Sequence, residues 1–268
     1  SKTSRSSAAS DCYKRQEQLD IFNLAAKSTQ HVVLVHPKTI EPKQYGSGCI
    51  AYYKRKFYLL SVAHVTNLDD FATCIDTGVP QEELKTKLYS VGGMFYIEQY
   101  RISNIEKAKF EELNVEFEET LDICFTEIKE NVNLLQKEMD FGAFKIESGN
   151  KVCLNLELAG EPSSDELFIF FGNIKQDIQG ILLKYQPTFK YDLEFKGTYG
   201  FFHLFNTPEI IEDGEDYAGC SGAPILDSQG KLVGLVSSVN PGSKSIFAFS
   251  ISKCRELLAA AINSGAFN

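Results

Sequence analysis

The chain has 268 residues, 43% of them hydrophobic, and a formal net charge of −9. That is enough apolar material for a core in one large or two modest domains. The acidic balance argues against nucleic acid as a partner, because phosphate binding needs clustered lysine and arginine. No apolar run approaches the ~18 residues of a membrane span, so no membrane partner is expected.

Residues 1–10 are small, polar and partly basic, without the apolar centre of a secretory signal. Residues 11–28 read as a helix, with Leu19, Phe22, Leu24, Ala25 and Ala26 on one face, packed as an extension on the first strands of the chain. Strand structure starts at residues 31–36, and the apolar runs 47–53 and 57–62 flank Lys54-Arg55-Lys56 as a hairpin would. The second run leads to His64, at the point where Thr66, Asn67 and Asp69 signal a turn, which places its ring at a free strand end.

Residues 89–100 read as strand, and 105–117, rich in Glu and Lys, as a surface insertion made of a short helix or a charged strand pair. In residues 120–128, Leu121, Ile123 and Phe125 alternate with Asp122, Cys124 and Thr126, the pattern of a half-buried strand. A carboxylate flanked so closely by apolar residues suits the orientation of an imidazole; the plainer reading is a solvent-facing strand carboxylate beside Glu118 and Glu119. Residues 127–140 hold helix formers and begin a link. The break at 160–166 precedes an aromatic strand at 167–172. Two apolar runs around the turn 227–230, a strand at 245–251 and a helix at 254–262 complete the chain.

Seven cysteines, at 12, 49, 74, 124, 153, 220 and 254, are odd in number, scattered and free of CxxC pairs. Reduced, buried thiols in a cytoplasmic protein are the expectation, with no metal or cofactor.

The most informative stretch is Gly219-Cys220-Ser221-Gly222-Ala223-Pro224, followed by Val233-Gly234-Leu235-Val236-Ser237. It resembles the nucleophile signature Gly-x-Ser-Gly-x-Pro of the trypsin-like (chymotrypsin-fold) serine peptidases. Ser61-Val62-Ala63-His64 resembles their histidine signature, and the family order His, Asp, Ser is kept as His64, Asp122, Ser221. The resemblance implies an all-β fold with a few helices: two six-stranded antiparallel barrels plus N-terminal and C-terminal helices. The boundaries would be an extension over 1–28, a first barrel over 29–150 carrying His64 and Asp122, and a second over 151–268 carrying Ser221. Two departures matter. Cys220 stands where digestive members carry the aspartate of their activation switch, and Val65 follows His64 where a disulfide staple would need cysteine. The likeness is to intracellular, bacterial or viral branches, not to secreted digestive enzymes.

The resemblance further implies that His64 takes the Ser221 proton and that the N–H groups of Gly219 and Ser221 form an oxyanion hole. A protein or peptide substrate would lie extended beside Ser237, Ser238 and Val239. Its side chain would enter a pocket floored by Glu215 and walled by Val239 and Ile246, shallow enough to favour a small or apolar residue. The plainer readings are a turn serine at 221, a solvated charge at Glu215, a packed thiol at Cys220, and ordinary strand or loop histidines at His31, His36 and His203. Three functions stay open: an active endopeptidase, constitutive or switched on by an activating partner protein; a silent peptide-binding module on the same fold; and a viral or polyprotein-embedded protease that cuts its own chain.

Overall fold

A computed structural model describes residues 20–80, 87–103, 114–128, 132–179 and 182–267. Residues 20–28 form helix α1, so the described part of the expected N-terminal helix is helical; residues 11–19 lie outside the described set. Seven strands follow: β1 (Thr29–Val35), β2 (Pro42–Tyr53), β3 (Lys56–Ser61), β4 (Ala72–Asp76), β5 (Leu88–Gly92), β6 (Phe95–Ser103) and β7 (Asn114–Ile128), with the single-turn helix α2 (Ala63–Thr66) after β3. Five two-residue strands make the link: β8 (Leu135–Gln136), β9 (Met139–Asp140), β10 (Lys145–Ile146), β11 (Gly149–Asn150) and β12 (Leu154–Asn155). The second half is β13 (Leu167–Gln179), β14 (Leu182–Tyr199), β15 (Phe202–Asn206), β16 (Pro224–Leu226), β17 (Leu232–Val239), β18 (Ser245–Ser250) and α3 (Ile251–Asn263).

The second half closes as expected. β13-β14-β15-β18-β17-β16 is a complete six-stranded barrel, with Phe168, Phe170, Phe205, Val236 and Ala248 filling its interior. The first half does not close, which corrects the expectation of two six-stranded barrels. Its ladder runs β5-β4-β1-β2-β3-β7-β6, and no pairing joins β5 to β6 among the described residues. Only Gly93 and Met94 separate these two end strands, so Gly92 and Phe95 lie at most ~11 Å apart along the chain. A sheet whose opposite edges are tied that closely must curl, and the result is a half-barrel with an open seam. Gly92 makes the exit with φ +82°.

The link adds an eighth strand. β2 outruns β1, whose pairing ends at Thr29 against Cys49, and the parallel strand β12 takes the exposed edge at Ala51 and Tyr52. Residues 132–140, read as rich in helix formers, form short strand bridges instead. Of the proposed insertion 105–117, residues 104–113 lie outside the described set and 114–117 belong to β7.

Helix α1 packs on the first half, where Ala25 and Ala26 join the cluster that holds Val32, Ile50 and Leu59, and also reaches the link and the second barrel. Phe22 meets Phe144 of the link at 4.7 Å between ring centroids and Phe189 and Tyr191 of β14 at 4.9 and 5.5 Å, while Leu24 lies over Gly230 of the second barrel. No helix among the described residues is long and apolar enough to cross a membrane.

A half-buried lysine sits between the two halves. Lys151 donates its ammonium to the Thr29 carbonyl, and burial pulls its pKa down to about 8, against a weaker upward pull from Asp76. A lysine at about 8 when folded and ~10.4 when unfolded costs about 3 kcal/mol wherever both states are protonated, that is below pH 8. The cost fades as pH rises from 8 toward ~10.4, because only the unfolded state still binds the proton. Lys151→Met is therefore expected to stabilise the fold by up to about 3 kcal/mol at pH 7 in urea titrations, with the gain shrinking by pH 10. A pH-independent gain would show that lysine desolvation is not its source.

Candidate active site

His64 lies in α2, directly after the hairpin strand β3, and not at the strand terminus itself. Ala63, Val65 and Thr66 on the same turn are buried, which leaves His64 pointing outward with 48% of its side chain exposed. Two contacts pin the turn onto the first sheet: Thr66 Oγ1 lies 3.1 Å from Cys124 Sγ on β7, and the Tyr96 hydroxyl donates to Thr66 Oγ1. Gln44 on β2 donates Nε2 to the His64 carbonyl at 2.6 Å.

Asp122, on β7, faces this turn. Its Oδ1 accepts the His64 backbone N–H at 3.1 Å and lies 2.9 Å from Nδ1, and its Oδ2 lies 3.1 Å from the same ring nitrogen. A carboxylate can only accept, so Nδ1 carries the proton and Nε2 is left as the acceptor. Only 21% of the Asp122 side chain is exposed. Burial pushes its pKa up, but the His64 hydrogen bond and charge, with the Ser237 hydroxyl and the His64 N–H, outweigh it and hold the carboxyl below its ordinary value.

Ser221 enters from the second barrel. Its turn starts at Gly219, with φ +94°, and leaves through Gly222, with φ +89°. Cys220 between them is fully buried, and burial pushes its thiol up to about 12, so it is no thiolate nucleophile. Among the described residues, the N–H groups of Gly219 and Ser221 have no acceptor, whereas those of Cys220 and Gly222 bond to Tyr217 and Val236. Glycine at 222 is required by space as well as by φ, since a Cβ there would lie 1.9 Å from the Ser47 carbonyl oxygen. Gly222→Ala is expected to cost about 3 kcal/mol, the sum of left-handed strain and overpacking, read as a lowered urea midpoint; a cost below about 1 kcal/mol would mean that the turn relaxes easily.

Ser237 joins the three. It stands at an irregularity where the β17–β18 register slips between Val236 and Ser238, and such bulges re-aim side chains and carbonyls. Its hydroxyl donates to Asp122 Oδ2, and its carbonyl accepts the Ser221 hydroxyl at 3.2 Å. Ser237 thus bonds to both Asp122, which holds His64, and Ser221, and links residues from three separate elements. The Ser221 hydroxyl is turned to the Ser237 carbonyl, with no hydrogen bond to His64.

The remaining expected site residues are spread more widely. Ser238 is exposed and Val239 half-buried at the end of β17, past the point where pairing with β16 stops at Leu235. Ile246 pairs with Val239 across β18 but is fully buried in the barrel core. Glu215 is exposed in a 3₁₀ turn (Gly214–Tyr217) capped by Asp213, whose carboxylate accepts the Glu215 N–H. Sequence reasoning missed Gln44 and Ser47, whose signals are only a polar residue and the small-residue run Gly46-Ser47-Gly48 in an apolar strand. It also missed an open groove of about 950 Å³ on the second barrel, with Lys190, Asp192, Glu209, Asp213 and Tyr217 on its walls.

No family model and no curated protein matches this chain. Among solved structures, a serine endoprotease from Yersinia pestis is similar in structure, with a TM-score of 0.49 and 13% identity over 91% of this chain and 66% of that one. The chain therefore spans just under two thirds of that protein's length.

Proposed function

We propose that this chain is a trypsin-like serine endopeptidase in which Ser221 is the nucleophile, His64 the general base and Asp122 its orienting carboxylate. The observation that carries the reading is Ser237, whose hydroxyl and carbonyl bond at once to Asp122, the partner of His64, and to Ser221. The reading requires the Ser221 hydroxyl to leave the Ser237 carbonyl, to which it donates at 3.2 Å, and to turn to Nε2, the ring nitrogen that Asp122 does not engage.

Attack then proceeds in balance. The hydroxyl oxygen bonds to the substrate carbonyl carbon, its proton passes to Nε2, and the electron pair of the C=O moves onto oxygen. The N–H groups of Gly219 and Ser221 receive that oxyanion, a contribution of about 3 kcal/mol per donor in comparable sites. Collapse expels the amine, which takes the proton from the imidazolium, and water repeats the sequence to release the acyl group. A substrate strand would pair with the open edge at Ser238 and Val239. Six unpaired thiols among the described residues favour a reducing compartment, and a cytoplasmic location is part of the proposal.

A second reading, a peptide-binding module that does not cut, draws on the Ser221 hydroxyl being satisfied by a carbonyl instead of the imidazole. Incubation with a mixed library of unstructured peptides separates the two. New termini found by mass spectrometry with the wild type, and none with Ser221→Ala, support the peptidase. Retention of intact peptides by both proteins, with no new termini, supports the module.

A further inference from the structure

The nucleophile turn is fixed from outside its own barrel. Ser47, in the middle of β2, donates its backbone N–H to the Ser221 carbonyl at 2.7 Å and its hydroxyl to the Gly219 carbonyl at 2.7 Å. Its own carbonyl accepts the Ser61 hydroxyl at 2.7 Å, which ties the contact to β3, the strand that runs into the His64 turn. Ser47 and Ser61 are both fully buried, where a hydrogen bond is not traded against water.

The surrounding glycines keep this approach open. A Cβ on Gly46 would lie 2.4 Å from Val65 and 3.1 Å from the Ser221 carbonyl, and one on Gly222 would lie 1.9 Å from the Ser47 carbonyl and 2.7 Å from the Ser61 hydroxyl. The backbone of β2 thus passes against the turn as closely as two main chains can. The Gly219 carbonyl sets the ψ angle of the residue whose N–H stands without an acceptor. Glycine at φ +94° has no side chain to resist rotation, so the turn needs an external hold.

We propose that Ser47 is a positioning residue for the oxyanion hole: its hydroxyl holds the Gly219 carbonyl and its N–H the Ser221 carbonyl, and the two together fix the stretch of backbone from which the Gly219 and Ser221 N–H groups project, across the interface between half-barrel and barrel. This rests on the peptidase reading. Ser47 touches neither substrate nor reacting atoms; it acts through Gly219. Ser61 belongs to the same chain of hydroxyls and lies against Gly222, but its hydroxyl donates to Ser47 and makes no hydrogen bond to the turn, so it shares the structural role without that hold.

That difference supplies the test. Ser47→Ala and Ser61→Ala are compared for thermal stability, for kcat and KM on a fluorogenic peptide that the wild type cleaves, and for the rate of labelling by an alkyl fluorophosphonate. Both variants are expected to lose similar stability, each having lost one buried hydroxyl. Ser47→Ala is expected to lose a further ~10- to 100-fold in kcat with KM nearly unchanged, the size of effect that misplacing an oxyanion donor produces. If Ser47→Ala does not fold, Ser47→Cys retains a near-isosteric but weak donor and is expected to show an intermediate loss in kcat. Activity in Ser47→Ala equal to that of Ser61→Ala, or full activity in Ser47→Cys, overturns the positioning role while leaving the peptidase reading intact. A folded wild type that neither cleaves nor labels overturns the peptidase reading, and the role of Ser47 falls with it.

Discussion

Ser221→Ala is expected to lower kcat on any cleaved peptide by about 10⁶-fold, since a nucleophile deleted from a working triad leaves only binding and the oxyanion donors. The fold should tolerate the change. Ser221 makes a single side-chain hydrogen bond, to the Ser237 carbonyl, and its structural ties to Ser47 run through the backbone. Stability within about 1 kcal/mol of wild type is therefore expected from chemical denaturation, alongside the collapse in activity. A variant that keeps more than about one hundredth of the wild-type rate would place the nucleophile elsewhere.

Asp122→Asn is the second large effect, with an expected loss of about 10⁴-fold in kcat. The carboxylate takes three donors on two oxygens: the His64 N–H, the His64 Nδ1–H and the Ser237 hydroxyl. An amide has one acceptor oxygen and would set its NH₂ against one of those donors. The imidazole then moves its proton to Nε2, the atom that must accept from Ser221. The substitution also removes a pH-dependent stabilisation. Because the folded pKa of Asp122 lies below its unfolded value, this contribution is present above ~pH 4 and lost as pH falls through the lower, folded pKa. The wild-type advantage over Asp122→Asn, followed by urea midpoints, should therefore narrow on acidification below ~pH 4. An advantage that grows on acidification would contradict the bond to His64 as its cause.

Ser221, His64 and Asp122 were legible because each stands in a local pattern: a glycine-framed serine, a histidine closing an apolar strand, a carboxylate in a strand of alternating burial. The closed barrel was legible for a similar reason, since β13 to β18 carry aromatic and branched runs between clear turns. The half-barrel was not. Alternation fixes which face of β5 and β6 is buried but not which edges pair, and the two-residue connection at Gly93 and Met94 reads as a hairpin, whereas β5 and β6 stand at opposite ends of the ladder. The reach of α1 to β14 is not legible, because an amphipathic face shows that a helix packs, not on everything it meets; Phe144 and Phe189, which receive Phe22, are far away in sequence.

Ser47 is the clearest limit of local reading. Its hydroxyl reaches a carbonyl 172 positions away, and nothing in Gly46-Ser47-Gly48 distinguishes it from a serine that merely fits a crowded strand. Ser237 is a milder case. Its place beside an extended substrate is the expectation from the strand that carries it, but its bond to Asp122 depends on the slipped register at Val236 and Ser238, which no propensity encodes.

The most direct measurement is the intact mass of the folded protein after exposure to an alkyl fluorophosphonate, with the modified peptide sequenced. A single adduct on Ser221, formed at neutral pH and abolished in Asp122→Asn and His64→Ala, is the predicted result, because only an activated hydroxyl displaces fluoride from phosphorus. A folded wild type that stays unmodified, or an adduct on another residue, would contradict the account.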